Sequence, residues 1–412
     1  MRRTLSTRSR RESPIDKVSI PHEKRLVEND ATVPEPLAPG CRTGGRQPVN
    51  AGLQGQIHSV VPRTRAFLEA TEPGHFLVNA GFPVEGKPAP ALDRLHLDDP
   101  DDLHLWLGVQ LENKRAFWKA REGLPDDHIP SIAPFFGYAE HAAWLGLKVV
   151  LQPATSLAVP AYDDIARVPR ELSFSEDAPW VRLMRESYAW LREQQRGDFV
   201  LAVRGGASPM ELANSLRGDD IFMDFLEEPE HCHRLMNALT ELYPSYFDLL
   251  RSWADRVEGG FLSAYLDAWM GPDPIGHLSN DTAMLCSAAV YKEFGFPYEA
   301  RLLSRYNGAF YHVHSEKMHY VPMLARLPNL RLIQVQEDPR VGSNMKNLEA
   351  IMAATGDCAL MLAGSPEEII PRLDLLATRN VYLRAWCADR NEAESLVAAV
   401  RSHSKPLAGP GI

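Results

Sequence analysis

The sequence predicts an α/β fold: a (β/α)8 TIM-type barrel preceded by a disordered N-terminal extension. Three observations lead there. Short apolar runs alternate with amphipathic stretches from about residue 75 to 405, the pattern of βαβ units around a parallel sheet. The runs are nearly continuous in apolar residues, as strands buried on both faces are. Eight such runs follow the first long helix, the number that closes a barrel. A doubly wound open sheet is the rival arrangement.

Residues 1–60 are rich in Pro, Arg, Gly and polar residues, as in PEPLAPG and RTGGRQPVNAG. No apolar period survives there, so disorder is expected. The first eleven residues, MRRTLSTRSRR, hold five Arg and no acid, a composition that suits an organelle transit peptide, a disordered tail or a misassigned start alike. HFLVNAGFP (75–83) has strand character. A helix follows over 98–123, with Asp residues at its start, Leu103, Leu107 and Leu111 four apart, and Gly at its end.

The eight runs are IPSIAPFFG (129–137), LKVVLQP (147–153), FVLAVRGG (199–206), GGFLSAYLD (259–267), GAFYHVHS (308–315), LRLIQVQED (330–338), CALMLAG (358–364) and VYLRAWC (381–387). LKVVLQP is the weakest, and with VPAYDD (159–164) it can form a hairpin beside the site instead. Helices are expected over 208–218, 228–253, 347–355, 366–378 and 391–403. One domain would then span 61–405, with a short tail over 406–412. No repeat of fixed period is present.

Hydrophobic residues make up 45% of the 412 and charged residues 24%, ample for a core, and the net charge is −10. An acidic chain without a basic stripe argues against a nucleic-acid partner. The five cysteines (Cys41, Cys232, Cys286, Cys358, Cys387) are odd in number and form no spacing framework, which suits a reducing, cytoplasmic setting. No apolar run reaches the ~18 residues that a membrane span needs. Oligomeric state is not legible.

In a barrel, chemistry sits where strands end at their carboxyl side. FVLAVRGG ends with Arg204, and GGFLSAYLD with Tyr265 and Asp267. GAFYHVHS ends with His312 and His314, LRLIQVQED with Gln334, Gln336, Glu337 and Asp338, and VYLRAWC with Arg384 and Cys387. Five apolar strands finishing in polar groups suggest a site. His312 and His314, two apart on a strand, share a face. With a thiolate from Cys387 they would make a zinc site with one open position. A buried hydrogen-bonded pair, or a pair that binds a substrate carboxylate, fits the same pattern. Asp267 suits a general acid or base, or a rim ion pair. Arg204 and Arg384 suit carboxylate binding or pairing with Asp267, Glu337 or Asp338. Gln334 and Gln336 share one face and suit neutral polar recognition. His319 reads as peripheral, and Cys232, Cys286 and Cys358 as small core residues.

The order of these segments resembles the uroporphyrinogen decarboxylase superfamily. AVRGGASPMELANSLRGDDIFMDFLEEPEHCHRLMN (202–237) is similar to its strand–Gly-Pro–helix segment. AYLDAWMGPDPIGHLSNDTAMLCSAAVYKEFGFPYEARLL (264–303) resembles its Asp-to-Pro-Tyr segment. FYHVHS (310–315) falls where the family has a histidine-centred strand end, LIQVQED (332–338) resembles its next strand, and 360–403 its C-terminal pattern. The resemblance implies one of two activities: cofactor-free decarboxylation of a porphyrinogen, or methyl transfer between a corrinoid protein and a thiol at a zinc ion.

Carried over by position, the methyltransferase motif lands on His312, His314 and Cys387, with His314 where the family commonly has Cys. The Arg-rich N-terminal segment of the decarboxylases is missing, which argues against porphyrinogen as a substrate. The resemblance thus implies a zinc-dependent methyltransferase acting on a small molecule with a corrinoid or thiol partner. Asp267 and His312 would be catalytic, Arg204, Tyr265, Gln334 and Gln336 would bind substrate, and His312, His314 and Cys387 would hold the metal. A metal-free decarboxylase or lyase on a carboxylated small molecule is the alternative. So is a non-catalytic barrel that binds a small ligand.

Overall fold

The computed structural model describes residues 49–406. The expected extension over 1–48 and the tail beyond 406 lie outside the described residues. Residues 51–60, expected to be disordered, instead open a helix, Ala51–Glu69. The Asn50 side chain accepts from the Leu53 N–H at 2.9 Å and caps it. Leu53, Ile57, Val60, Val61 and Phe67 line its buried face. Gly52, Gly55 and Pro62 lower the helical propensity of this stretch and hide that period in the sequence.

Strands β1 (Phe76–Gly81), β2 (Ser131–Ile132), β3 (Lys148–Leu151), β4 (Ser156–Val159), β5 (Val200–Leu201) and β6 (Gly206–Ala207) come first. They are followed by β7 (Gly260–Ser263), β8 (Ala268–Pro272), β9 (His277–Ser279), β10 (Ala309–His314), β11 (Leu330–Gln336), β12 (Ala359–Gly364) and β13 (Val381–Trp386). The protein is α/β. Its central parallel sheet has seven strands in the order β1-β13-β12-β11-β10-β9-β6, with helices between them. Every residue of β1 is buried, as expected of a strand covered on both faces.

The hydrogen-bonded ladder is not one closed ring of eight. β2 pairs only with β5, in parallel. β3 and β4 form an antiparallel hairpin, the alternative weighed for LKVVLQP, although its second strand is 156–159. GGFLSAYLD does not run as a parallel strand. β7 turns back on β8, and a single bridge, Val203 to Ser263, ties it to the chain after β5. β9 was not visible in the sequence, because it is three residues long and two of them are polar.

A physical reason for the break lies beside β1. There side chains, not a strand, satisfy its backbone. The Val78 N–H donates to Asp127 Oδ2 at 2.8 Å and the Ala80 N–H to Asp126 Oδ2 at 3.0 Å. Arg121, buried with them, pairs with Asp126 and donates to Asn79 Oδ1 at 2.8 Å and to Ala80 O at 2.6 Å. The carboxylates thus take the place of a neighbouring ladder.

Register then sets what faces what. Ser279 lies opposite His312, His312 opposite Gln334, Gln334 opposite Met361, and Met361 opposite Tyr382. One pleat on, His314 lies opposite Gln336 and Arg384 opposite Asn79. Alternation places the members of both rows on a common face, near the carboxyl ends of the strands.

Candidate functional site

His312 and His314 meet at the end of β10 through the ring nitrogens that face each other. Nε2 of one lies 3.2 Å from Nε2 of the other. Their other nitrogens are engaged. His314 Nδ1 donates to Asp338 Oδ1 at 2.8 Å, and His312 Nδ1 donates to the side-chain carbonyl of Gln334. The Tyr265 hydroxyl lies 3.0 Å from His312 Nδ1. With Nδ1 of each ring carrying the hydrogen, the Nε2 lone pairs converge on one point unless a proton or a cation separates them.

The third member is Asp281, whose Oδ1 lies 3.5 Å from His314 Nε2. Among the described residues, Asp281, His312 and His314 bring their ligand atoms within 4.8 Å of one another. Asp281 opens a short helix behind the Asn280 cap. Asn280 Nδ2 donates to the fully buried Glu299 at 2.6 Å, and the Tyr291 hydroxyl donates to the same carboxylate at 2.6 Å. Glu211 adds a brace, accepting from the Asp281 N–H at 3.2 Å and the Ser279 hydroxyl at 3.0 Å.

The spacing of the two imidazoles suits a zinc ion. Zinc–nitrogen bonds of about 2.0–2.1 Å at a tetrahedral angle separate two nitrogens by about 3.3 Å, close to the 3.2 Å seen here. Hydrogen bonds that hold the far nitrogen of each imidazole are the usual support of such ligands. Without a cation, hydrogen bonding to Asp281 and then to Asp338 raises the His314 pKa to about 9, against the cost of burial. Burial holds the His312 imidazole below its ordinary value.

Cys387 stands outside this group. It lies just past β13, where its N–H donates to Gly81 O at 2.8 Å. Burial first, and then the nearby acids Glu392, Asp126 and Asp389, push its thiol up to about 11. Arg204 is buried and paired with Glu140, with its guanidinium 4.9 Å over the Phe135 ring. Gln334 is buried and spends its carbonyl on His312, so it orients the imidazole, while Gln336 is exposed. Asp267 sits between two cations, with Lys114 Nζ at 3.6 Å and Arg384 Nη2 at 3.8 Å. Burial raises its pKa, but Lys114, His128 and Arg384 outweigh that and leave it lowered. Its φ of 49° lies in the left-handed region, where a non-glycine residue is strained. His319 is peripheral, bonded to Cys286 O at 2.7 Å.

Sequence reasoning missed Asp281, Glu140, His141 and His277. His277 is fully buried, stacks on Tyr265 at 4.5 Å, and is driven far below its ordinary pKa by burial and then by His141. Its place depends on Gly205, where an added Cβ would overlap the imidazole. Gly205→Ala should therefore cost about 1–3 kcal/mol through overpacking. An unchanged midpoint in urea would show that the ring can simply step aside.

No protein-family profile matches the chain. No curated protein matches it. Among solved structures, a methyltransferase from Methanosarcina mazei is similar in fold, with a TM-score of 0.51 and 13% sequence identity, over 83% of this chain and 98% of that one.

Proposed function

We propose that the protein is an enzyme that transfers a methyl group between a small molecule and a thiol or corrinoid acceptor, with zinc held by His312, His314 and Asp281. One observation carries the reading: two Nε2 atoms converge beside a carboxylate at the carboxyl ends of parallel strands, where (β/α)8 enzymes place their chemistry. The fold shared with a methyltransferase supports the reaction class.

Zinc in such a site supplies Lewis acidity and lowers the pKa of a thiol or hydroxyl toward neutrality. The chain's own groups prepare for it. Gln334 and Asp338 fix the imidazole tautomers. Tyr265 closes one side by stacking on His277 while its hydroxyl meets His312. Asp267, held ionised, positions the cations around it and is not a proton donor at neutral pH. With a thiol acceptor, the donor's methyl–heteroatom bond breaks and a methyl–sulfur bond forms. The thiol proton then passes to the released heteroatom.

The test is demethylation of methoxy and methylamine donors by zinc-loaded protein, with a low-molecular-weight thiol or a corrinoid protein as acceptor. Turnover that drops roughly a hundredfold or more in His314→Ala is the expected result. No methyl transfer with any of these pairs would end the reading. Full turnover of a carboxylated substrate after chelation would put a metal-free decarboxylase or lyase in its place.

A further inference from the structure

We infer that the cavity lined by Lys114, Phe117, Phe135 and Asp267 is a binding site for an organic monoanion, a carboxylate on a compact apolar body, with its charged end at Lys114 and toward Arg384, which flanks Asp267. The inference names the substrate class of the proposed enzyme and rests on that reading only for what happens at the ligand's other end.

The cavity has a volume of about 480 Å³, the size that suits a small metabolite. Its walls include Phe117, Ile132, Ala133 and Phe135, and its polar floor includes Lys114 and Asp267. The charges around it do not balance. Arg204 is matched by Glu140, and Arg121 by Asp126. Lys114 and Arg384, however, share the single carboxylate of Asp267, and both lie beyond hydrogen-bond distance of it. Among the described residues, Arg384 otherwise donates to a neutral carbonyl, Tyr265 O, at 3.3 Å. One positive charge is left over at the edge of a largely apolar hollow.

Among the described residues, buried polar atoms in and near this hollow also lack partners. Asp267 Oδ1 and the hydroxyl of Ser131, which is 1% exposed and lines the cavity, accept or donate no hydrogen bond. Nor do the two nitrogens of His128, whose ring is fully buried within the field of Asp267, Lys114 and Arg384. Unsatisfied buried groups are costly, and a ligand or water that reaches them relieves the cost. A carboxylate would give each cation an anion of its own and offer acceptor oxygens to Lys114 and Arg384. A dianion would overcompensate the single surplus charge, and a cation would meet Lys114.

Tyr265 measures the gap between this end and the proposed metal. Its carbonyl receives Arg384 and its hydroxyl meets His312. Arg384 and His312 are thus linked through one residue, Tyr265, which follows the cavity-lining Ala264.

The experiment titrates benzoate and neutral benzamide into the full-length protein by calorimetry, with and without a chelator, and measures metal content on the same samples. The expected result is benzoate binding at least ten times tighter than benzamide, unaffected by chelation or by His314→Ala. Lys114→Gln and Arg384→Gln should each remove most of that preference. Lys114 lies on a helix surface, with its side chain 36% exposed, so the first variant tests the idea even if the second fails to fold. Equal binding of the two probes, no binding of either, or a preference unchanged in Lys114→Gln would overturn the inference. A benzoate preference that disappears with the chelator would place the anion on the metal, refuting this subsite and leaving the proposed function intact. Retained benzoate preference in protein that takes up no zinc when loaded with it, before any chelator is added, would do the reverse.

Discussion

Protein loaded with zinc and desalted should keep about one equivalent per chain, as a site of three protein ligands does. His312→Ala, His314→Ala and Asp281→Ala should each lose it, with affinity down by roughly a hundredfold or more. Cys387→Ala should keep it. The contrast follows from geometry: the two imidazoles and the Asp281 carboxylate lie within one small sphere, and Cys387 lies outside it. Asp338→Ala and Gln334→Ala remove the hydrogen bonds that fix the rings, and with Asp338 also those to the Glu316 N–H and Ser315 hydroxyl, and should weaken binding by about 10–100-fold. Metal content and competition with a chromophoric chelator read all of these. Loss of zinc from Cys387→Ala, with full retention in Asp281→Ala, would restore the thiolate site that the resemblance implies.

Arg121→Ala should cost the fold about 3–5 kcal/mol, the loss typical when one partner of a buried ion pair is removed. Arg121 is 2% exposed and satisfies Asp126, Asn79 and the Ala80 carbonyl together. Burial already pushes the Asp126 carboxyl up, and Arg121 is the main force against it. Without the guanidinium, Asp126 either takes a proton or sits uncompensated against the β1 backbone. Replacing both partners, Arg121→Met with Asp126→Leu, should recover part of the loss, although the Ala80 N–H would then lack its acceptor. Urea midpoints of the three proteins check this. A single variant within 1 kcal/mol of wild type would show that the seam does not depend on the pair.

The half of the fold that a reader of the sequence could see is the regular half. The long apolar runs at 76–81, 309–314, 330–336, 359–364 and 381–386 are strands close to where the pattern places them, because burial on both faces leaves no alternative to apolar residues. The pair His312 and His314 was visible for the same reason, as two polar residues at alternate positions on an otherwise apolar strand. Asp281 was not. It follows a three-residue strand and opens a five-residue helix, both too short to leave a period. The signal that could have found it is the Asn-Asp pair after HLS, a cap followed by an acid at a helix start. Cys387 looked like a ligand because it ends a strand, yet position along a strand does not say which way a residue just past its end will turn. The Lys114 contribution was out of reach, since a helix surface lysine carries no pattern of its own.

The two halves of the molecule also differ in what they are free to change. His312, His314 and Gln334 stand on adjoining strands locked by parallel ladders, where a shift of one residue would turn each side chain to the wrong face. Lys114, Phe135, Arg204 and Asp267 stand on a helix, on loops and on a hairpin tip, beside the break in the ladder. Substitutions of Lys114 or Phe135 on that side touch neither imidazole, whereas Tyr265 at the hairpin tip does touch His312. Selection can therefore exchange substrates at one wall while the reacting groups at the other are inherited unchanged, so descendants of this chain should diverge in what they bind sooner than in what they do to it.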